Sequence, residues 1–221
     1  MVAGFKNQIR MRVLEGKELE DYLKQMQEWE AKKAKAIEDA FQREIVNILR
    51  TYTSDRDRWE LFANLAENDK LSDEAFNKGL VIAWTVGRGT GDFRAIQYFM
   101  RCKKELVMNE EELAYYNRLP DKVTLYRGCS MDEYEDEDGD SCFGISWTTS
   151  REIAEFFAFR NEQEDTAVYS IEVDKEDIKA VFLSRNEFEA ICFGGDEVTL
   201  VTDEPTELYT KYMERRKQEL F

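Results

Sequence analysis

The hydrophobic period of the chain changes once, near Pro120, and that change constrains the fold more than any single residue does. Before it, apolar residues recur every three or four positions, the repeat of one helix face. After it they come in short β-branched and aromatic runs bounded by turns, the texture of short strands. In the first half, Leu19, Tyr22, Leu23, Met26, Trp29, Ala34, Ile37, Phe41, Ile45, Ile48 and Leu49 form one stripe on a long amphipathic helix. The opposite face carries Glu20, Lys24, Glu28, Lys32, Lys35 and Glu38, so the expectation is a helix that buries its stripe in a core and solvates the rest.

Further helices are predicted over Arg58 to Glu67, from the cap at Ser72 through Trp84, over Phe93 to Leu106, and over Glu110 to Leu119. Gly87-Arg88-Gly89-Thr90-Gly91 lacks the spacing of a phosphate-binding loop and reads as a turn between helices. Strands are predicted at Val123 to Arg127, Phe143 to Thr149, Thr166 to Val173, Ala180 to Leu183, Asn186 to Phe193 and Val198 to Thr202. A short helix over Arg151 to Arg160 interrupts them, and a charged helix over Glu207 to Leu220 follows. Few helices lie between the strands, so the class is α+β, a mostly antiparallel core beneath a helical layer. The expected organisation is a helical region over residues 1–119 and a core over 120–221, or one domain of 221 residues.

Composition excludes several chemistries. The chain has no histidine, which removes Ser-His-Asp and Cys-His hydrolases, HExxH proteases and His-ligated zinc. Cys102, Cys129, Cys142 and Cys192 have no metal-like spacing, so reduced thiols in a cytoplasm and no bound metal are expected. A net charge of −16 opposes non-specific duplex DNA binding and a membrane-surface role. The acidic stretch Asp132 to Asp140 is not an EF-hand loop, because Gly139 at the sixth position would put Tyr134 first and Ile145 twelfth.

Three pieces carry chemistry. Tyr126-Arg127-Gly128 ends a strand, where a guanidinium can reach an anion and a glycine backbone can approach a planar group. Ser146-Trp147-Thr148-Thr149-Ser150 opens a helix whose free N–H groups favour an oxyanion. Glu187 and Glu189 stand two apart on a predicted strand and therefore on one face. Gly195-Asp196-Glu197 is a rival acidic pair, farther from the hydroxyls.

In order and spacing, these pieces resemble the arginine–serine–glutamate class of mono-ADP-ribosyltransferases, that of the C3-like and iota-like toxins. That class shows an aromatic-Arg strand, a Ser-Thr-Ser strand running into a helix, and an E-x-E strand about forty residues later. Here Thr149 and Glu189 are 40 residues apart and Arg127 precedes Trp147 by 20. Phe157-Ala158-Phe159-Arg160 is similar to the segment that lies over the nicotinamide and phosphates, and the spelling SWTT, FAxR, RxExE resembles phage-associated members. The likeness covers Leu125 to Leu200; Trp147 departs from it, leaving Ser146 or Thr148 as the hydroxyl that orients Glu189.

The resemblance implies a core of two small antiparallel sheets and NAD as a substrate. It implies that Glu189 stabilises an oxocarbenium-like ribose and that Arg127, or Arg160, holds the pyrophosphate. Gly128, Thr148 and Thr149 would line the NAD site, Phe157 or Phe156 would stack on the nicotinamide, and Glu187 would act as general base on an acceptor nitrogen. It further implies a toxin or effector acting on a protein arginine or an RNA base amine of a host, with a neutralising antitoxin as partner. A plain NAD glycohydrolase and an inactive binding module are the competing readings.

Overall fold

The computed structural model describes residues 16–51, 54–68, 71–86, 93–131, 144–161, 165–195 and 197–219. Strand β1 (Lys122–Ser130) organises the second half, because all nine of its residues pair antiparallel with β3 (Thr166–Asp174). On its other edge β1 meets β2 (Ser146–Thr148) through one register pair, Tyr126 with Thr148. Next to β2 lies β5 (Glu189–Ile191), then β4 (Ala180–Phe182), while β6 (Val198–Thr202) closes the far edge beside β3. Among the described residues the strands thus form one antiparallel six-stranded sheet, ordered β4-β5-β2-β1-β3-β6. The expectation of two small sheets is corrected: β2 pairs on both edges and joins the halves.

Helix α7 (Arg151–Phe159) crosses the sheet over β1, and its approach is set by Gly128. A Cβ there would lie 1.9 Å from the Ala154 carbonyl oxygen and 2.7 Å from the Ala158 nitrogen. Glycine on the strand and alanine on the helix therefore let two backbones touch. Glu155 of α7, fully buried, accepts from Arg151 Nε at 3.0 Å and from Thr206 Oγ1 at 2.6 Å. It also accepts from the Thr206 and Tyr209 amides at 3.3 and 3.2 Å, so one carboxylate satisfies the start of α8 (Glu207–Glu219).

The helical layer comprises α2 (Asp55–Glu67), α3 (Asp73–Thr85), α4 (Phe93–Arg101), α5 (Lys104–Val107) and α6 (Glu110–Arg118). Serines 54 and 72 accept from Asp57 N and Ala75 N, and Asn109 with Glu112 makes a reciprocal capping box. The helix expected to run from Phe93 to Leu106 breaks at Cys102 and Lys103, whose amide (Lys103) donates to the buried Asn77 Oδ1 at 2.8 Å. Trp59, Phe62, Phe76 and Tyr98 pack ring on ring, and Phe99 carries the aromatic contact to Phe182 of β4 at 6.3 Å. These helices and the sheet fall in one compact unit, Val46–Phe221.

The other unit ends at Ile45, within α1 (Lys17–Thr51). The expectation that α1 buries its stripe does not hold for its N-terminal part, where Leu19, Tyr22, Leu23, Met26, Trp29, Ile37 and Phe41 are exposed. Among the described residues that unit is this helix alone, so it has no second element of its own to cover the stripe. Among the described residues no helix is long and apolar enough to cross a membrane. The Gly87–Gly91 turn, the acidic loop and Cys142 lie outside the described residues.

Two measurements check this account. Gly128→Ala is expected to destabilise the protein by about 3 kcal/mol, since the new methyl has no space and both backbones resist moving; a urea midpoint equal to wild type would refute the contact. Cys102 is a reduced thiol, and burial pushes it up to about 11. Alkylation at Cys102 is therefore expected to stay slow at pH 8 and to accelerate only toward pH 11, because the thiolate is the nucleophile. A rate at pH 8 matching the urea-unfolded chain would contradict it.

Candidate active site

Strand pairing brings the predicted residues together where the halves of the sheet meet. Tyr126 stands opposite Thr148, and Thr148 stands opposite Glu189, so β1, β2 and β5 line up across one short stretch. Ser146 is two residues from Thr148 and hence on the same face, with Glu189 as its diagonal neighbour. Ser146 Oγ donates to Glu189 Oε1 at 2.6 Å. Trp147 lies between the two hydroxyls, and strand alternation sends its buried side chain to the opposite face. Of the two candidate hydroxyls, the one on Glu189 is Ser146.

Thr148 has a different job. Its Oγ1 donates to the Glu187 carbonyl at 2.8 Å and accepts from the Ser150 amide at 3.1 Å. Thr149 is turned away from Glu189: its Oγ1 shares a hydrogen bond of 2.7 Å with Tyr115 on α6, and its amide donates to the Phe188 carbonyl at 3.2 Å. Thr149 is not among the residues that line the cleft beside Glu189.

The two glutamates are not on one strand. β5 starts at Glu189, and Glu187 closes a short 3-10 turn over Ser184–Asn186. Asn186 at φ +56° and Phe188 at φ +46° bend the chain. A left-handed phenylalanine costs about 1–2 kcal/mol, and the hydroxyl straps from Thr148 and the Phe188 ring packed on Tyr115 at 5.7 Å oppose that strain. The sequence missed this because E-x-E between apolar residues has the same period as a strand. Even so, the bend leaves both glutamates on one cleft.

That cleft, about 220 Å³, is lined by Tyr126, Arg127, Gly128, Ser146, Thr148, Phe157, Glu187 and Glu189, among others. Arg127 Nη1 donates to the Ser146 carbonyl at 2.6 Å, and the guanidinium lies so close to Gly144 that a Cβ there would sit 2.7 Å from Nη2. The cation is thereby fixed to the strand that carries Ser146. Phe157 faces the cleft, whereas Phe156 packs on Tyr212 at 5.4 Å under Arg216. Arg160 is exposed and stacks over the Phe157 ring at 4.6 Å, reaching the cleft only through that ring. Glu197, of the rival pair, is exposed and away from the cleft lining, and Asp196 lies outside the described residues.

One participant escapes the motif reading. Trp84, on α3 of the helical layer, donates Nε1–H to Glu189 Oε1 at 3.0 Å, across 105 residues of chain. Its ring is braced edge-on by Trp59 at 6.2 Å and by Phe99 at 5.2 Å. An aromatic on a helical stripe looks like core, and nothing local marks it as a donor. Two neutral donors thus converge on one oxygen of Glu189 and fix its orientation.

Compared with known proteins, the chain matches no family model, no curated protein and no solved structure at a significant level.

Thr148→Val keeps the shape of the side chain and leaves the Glu187 carbonyl and Ser150 amide without their hydroxyl partner. It is expected to lower stability by about 1–2 kcal/mol in urea unfolding; unchanged stability would remove the strap role.

Proposed function

We propose that the chain is an NAD-dependent mono-ADP-ribosyltransferase of the arginine–serine–glutamate class, transferring ADP-ribose to a nitrogen of a macromolecule. The observation that carries this reading is the Ser146 hydroxyl on Glu189 inside a cleft that also holds Arg127, Phe157 and Glu187. That set supplies the groups needed at a nicotinamide–ribose bond: an anchored cation, an aromatic face and two acids. A volume of about 220 Å³ is below the about 300 Å³ at which pockets enclose whole ligands, which suits a long dinucleotide gripped at one end.

NAD supplies a glycosidic bond whose cleavage builds positive charge on the ribose. Glu189, oriented by Ser146 and Trp84, offers preorganised negative charge to that centre. Arg127 binds phosphate oxygens, and its hydrogen bond to the Ser146 carbonyl ties its position to that of the acid's partner. Phe157, with Arg160 stacked on it, gives the nicotinamide a ring to lie against. Glu187 takes the proton from the acceptor nitrogen, which is the step that separates transfer from hydrolysis. A toxin or effector role in a cytoplasm follows from the resemblance, as does an antitoxin partner.

Incubation with NAD labelled in the adenylate half tests the reading. Label is expected on protein or RNA with wild type, and Glu189→Gln is expected to lose about 100- to 1000-fold in rate with its fold intact. Glu187→Ala is expected to lose transfer while releasing some free ADP-ribose. Intact NAD with wild type would refute the enzyme, and free ADP-ribose alone would make it a glycohydrolase.

A further inference from the structure

Helix α1 shows solvent a stripe of large apolar side chains, with Trp29 55% and Ile37 62% exposed. Exposed large apolar side chains grouped on one face mark an interaction surface. Its centre is charged, however. Glu30 and Lys33 follow Met26 by four and seven residues and precede Ile37 by seven and four, so all four fall on one line of the helix. Lys33 Nζ already lies over the Trp29 ring at 5.1 Å. The partner must therefore offer an acid and a base in mid-stripe, flanked by apolar groups of matching bulk.

A second copy of this helix, reversed, offers that. Setting Glu30 against Lys33 of the other copy places the two-fold between Ala31 and Lys32 and makes both symmetric pairs opposite in sign. The same reversal puts Tyr22 opposite Phe41, Met26 opposite Ile37, Leu23 opposite Ala40 and Trp29 opposite Ala34, so the bulkiest ring meets one of the smallest side chains. A parallel pairing in register would set Glu30 on Glu30 and Lys33 on Lys33, two like-charge contacts at the centre of the seam. Net repulsion does not oppose association along this helix. α1 holds eight acids and seven bases, so nearly all of the chain's −16 lies elsewhere.

We propose that α1 pairs antiparallel with α1 of a second copy of the chain, over Tyr22 to Phe41, about 30 Å of helix. This pairing is independent of the activity assigned to the cleft.

Sedimentation equilibrium of the full chain is expected to give twice the monomer mass, and Met26→Glu with Ile37→Glu is expected to give a monomer of unchanged helix content. A wild-type chain that stays monomeric through the micromolar range would overturn the proposal. Orientation is read by mild oxidation. Met26→Cys chains mixed with Ile37→Cys chains are expected to cross-link to each other, while Met26→Cys alone is not. Cross-linking of Met26→Cys to itself without the mixed product would overturn the antiparallel arrangement. Register is read by charge reversal: Glu30→Lys or Lys33→Glu is expected to weaken the dimer about tenfold or more, and the two together to restore it. A double variant no stronger than either single one would overturn the register.

Discussion

Strand β2 is three residues long, yet it pairs with β5 along its whole length and with β1 through one residue. The rest of the second half depends on that asymmetry. The single pair between Tyr126 and Thr148 is the join between two three-stranded halves, and the cleft opens at that join because few ladder bonds close it there. The same three residues supply the hydroxyl on Glu189, the hydroxyl that straps the Glu187 turn, and the carbonyl that holds Arg127. Sheet continuity and site geometry are one constraint.

A second constraint comes from outside the sheet. Trp84 carries the helical layer's aromatic cluster to within a hydrogen bond of Glu189, and Phe99 ties that cluster to β4. Glu155 plays a comparable part on the other side. Buried beneath α7, it fastens the start of α8 and leaves Phe157 on the cleft side of its helix. One helix thus reaches the site directly through Trp84, while Glu155 ties α7, which carries Phe157, to α8.

Much of this was legible in the sequence, and the failures have identifiable causes. The strands at Thr166 and Val198, the cap at Ser72 and the terminal helix at Glu207 follow from period and capping chemistry, and the structure places them there. The α+β class followed from the change of period at Pro120. The break between Glu187 and β5 is not legible, because positive φ at Phe188 leaves no compositional mark. A hydroxyl facing Tyr115, as that of Thr149 does, and one facing a ligand look alike in a run of three. The exposed stripe of α1 reads as core in the sequence because periodicity reports that a face is apolar and not what covers it. Trp84 was invisible as a site residue because its partner is 105 residues away.

The indole bound to Glu189 has an optical consequence. Tryptophan emission responds to the charge and hydration around the ring, and here the ring's only N–H points at the acid on which the proposed chemistry turns. Trp59, 6.2 Å away, lies within the same chromophore cluster. Of the chain's four tryptophans, Trp84 is thus the one whose emission is coupled through a hydrogen bond to the carboxylate in the cleft.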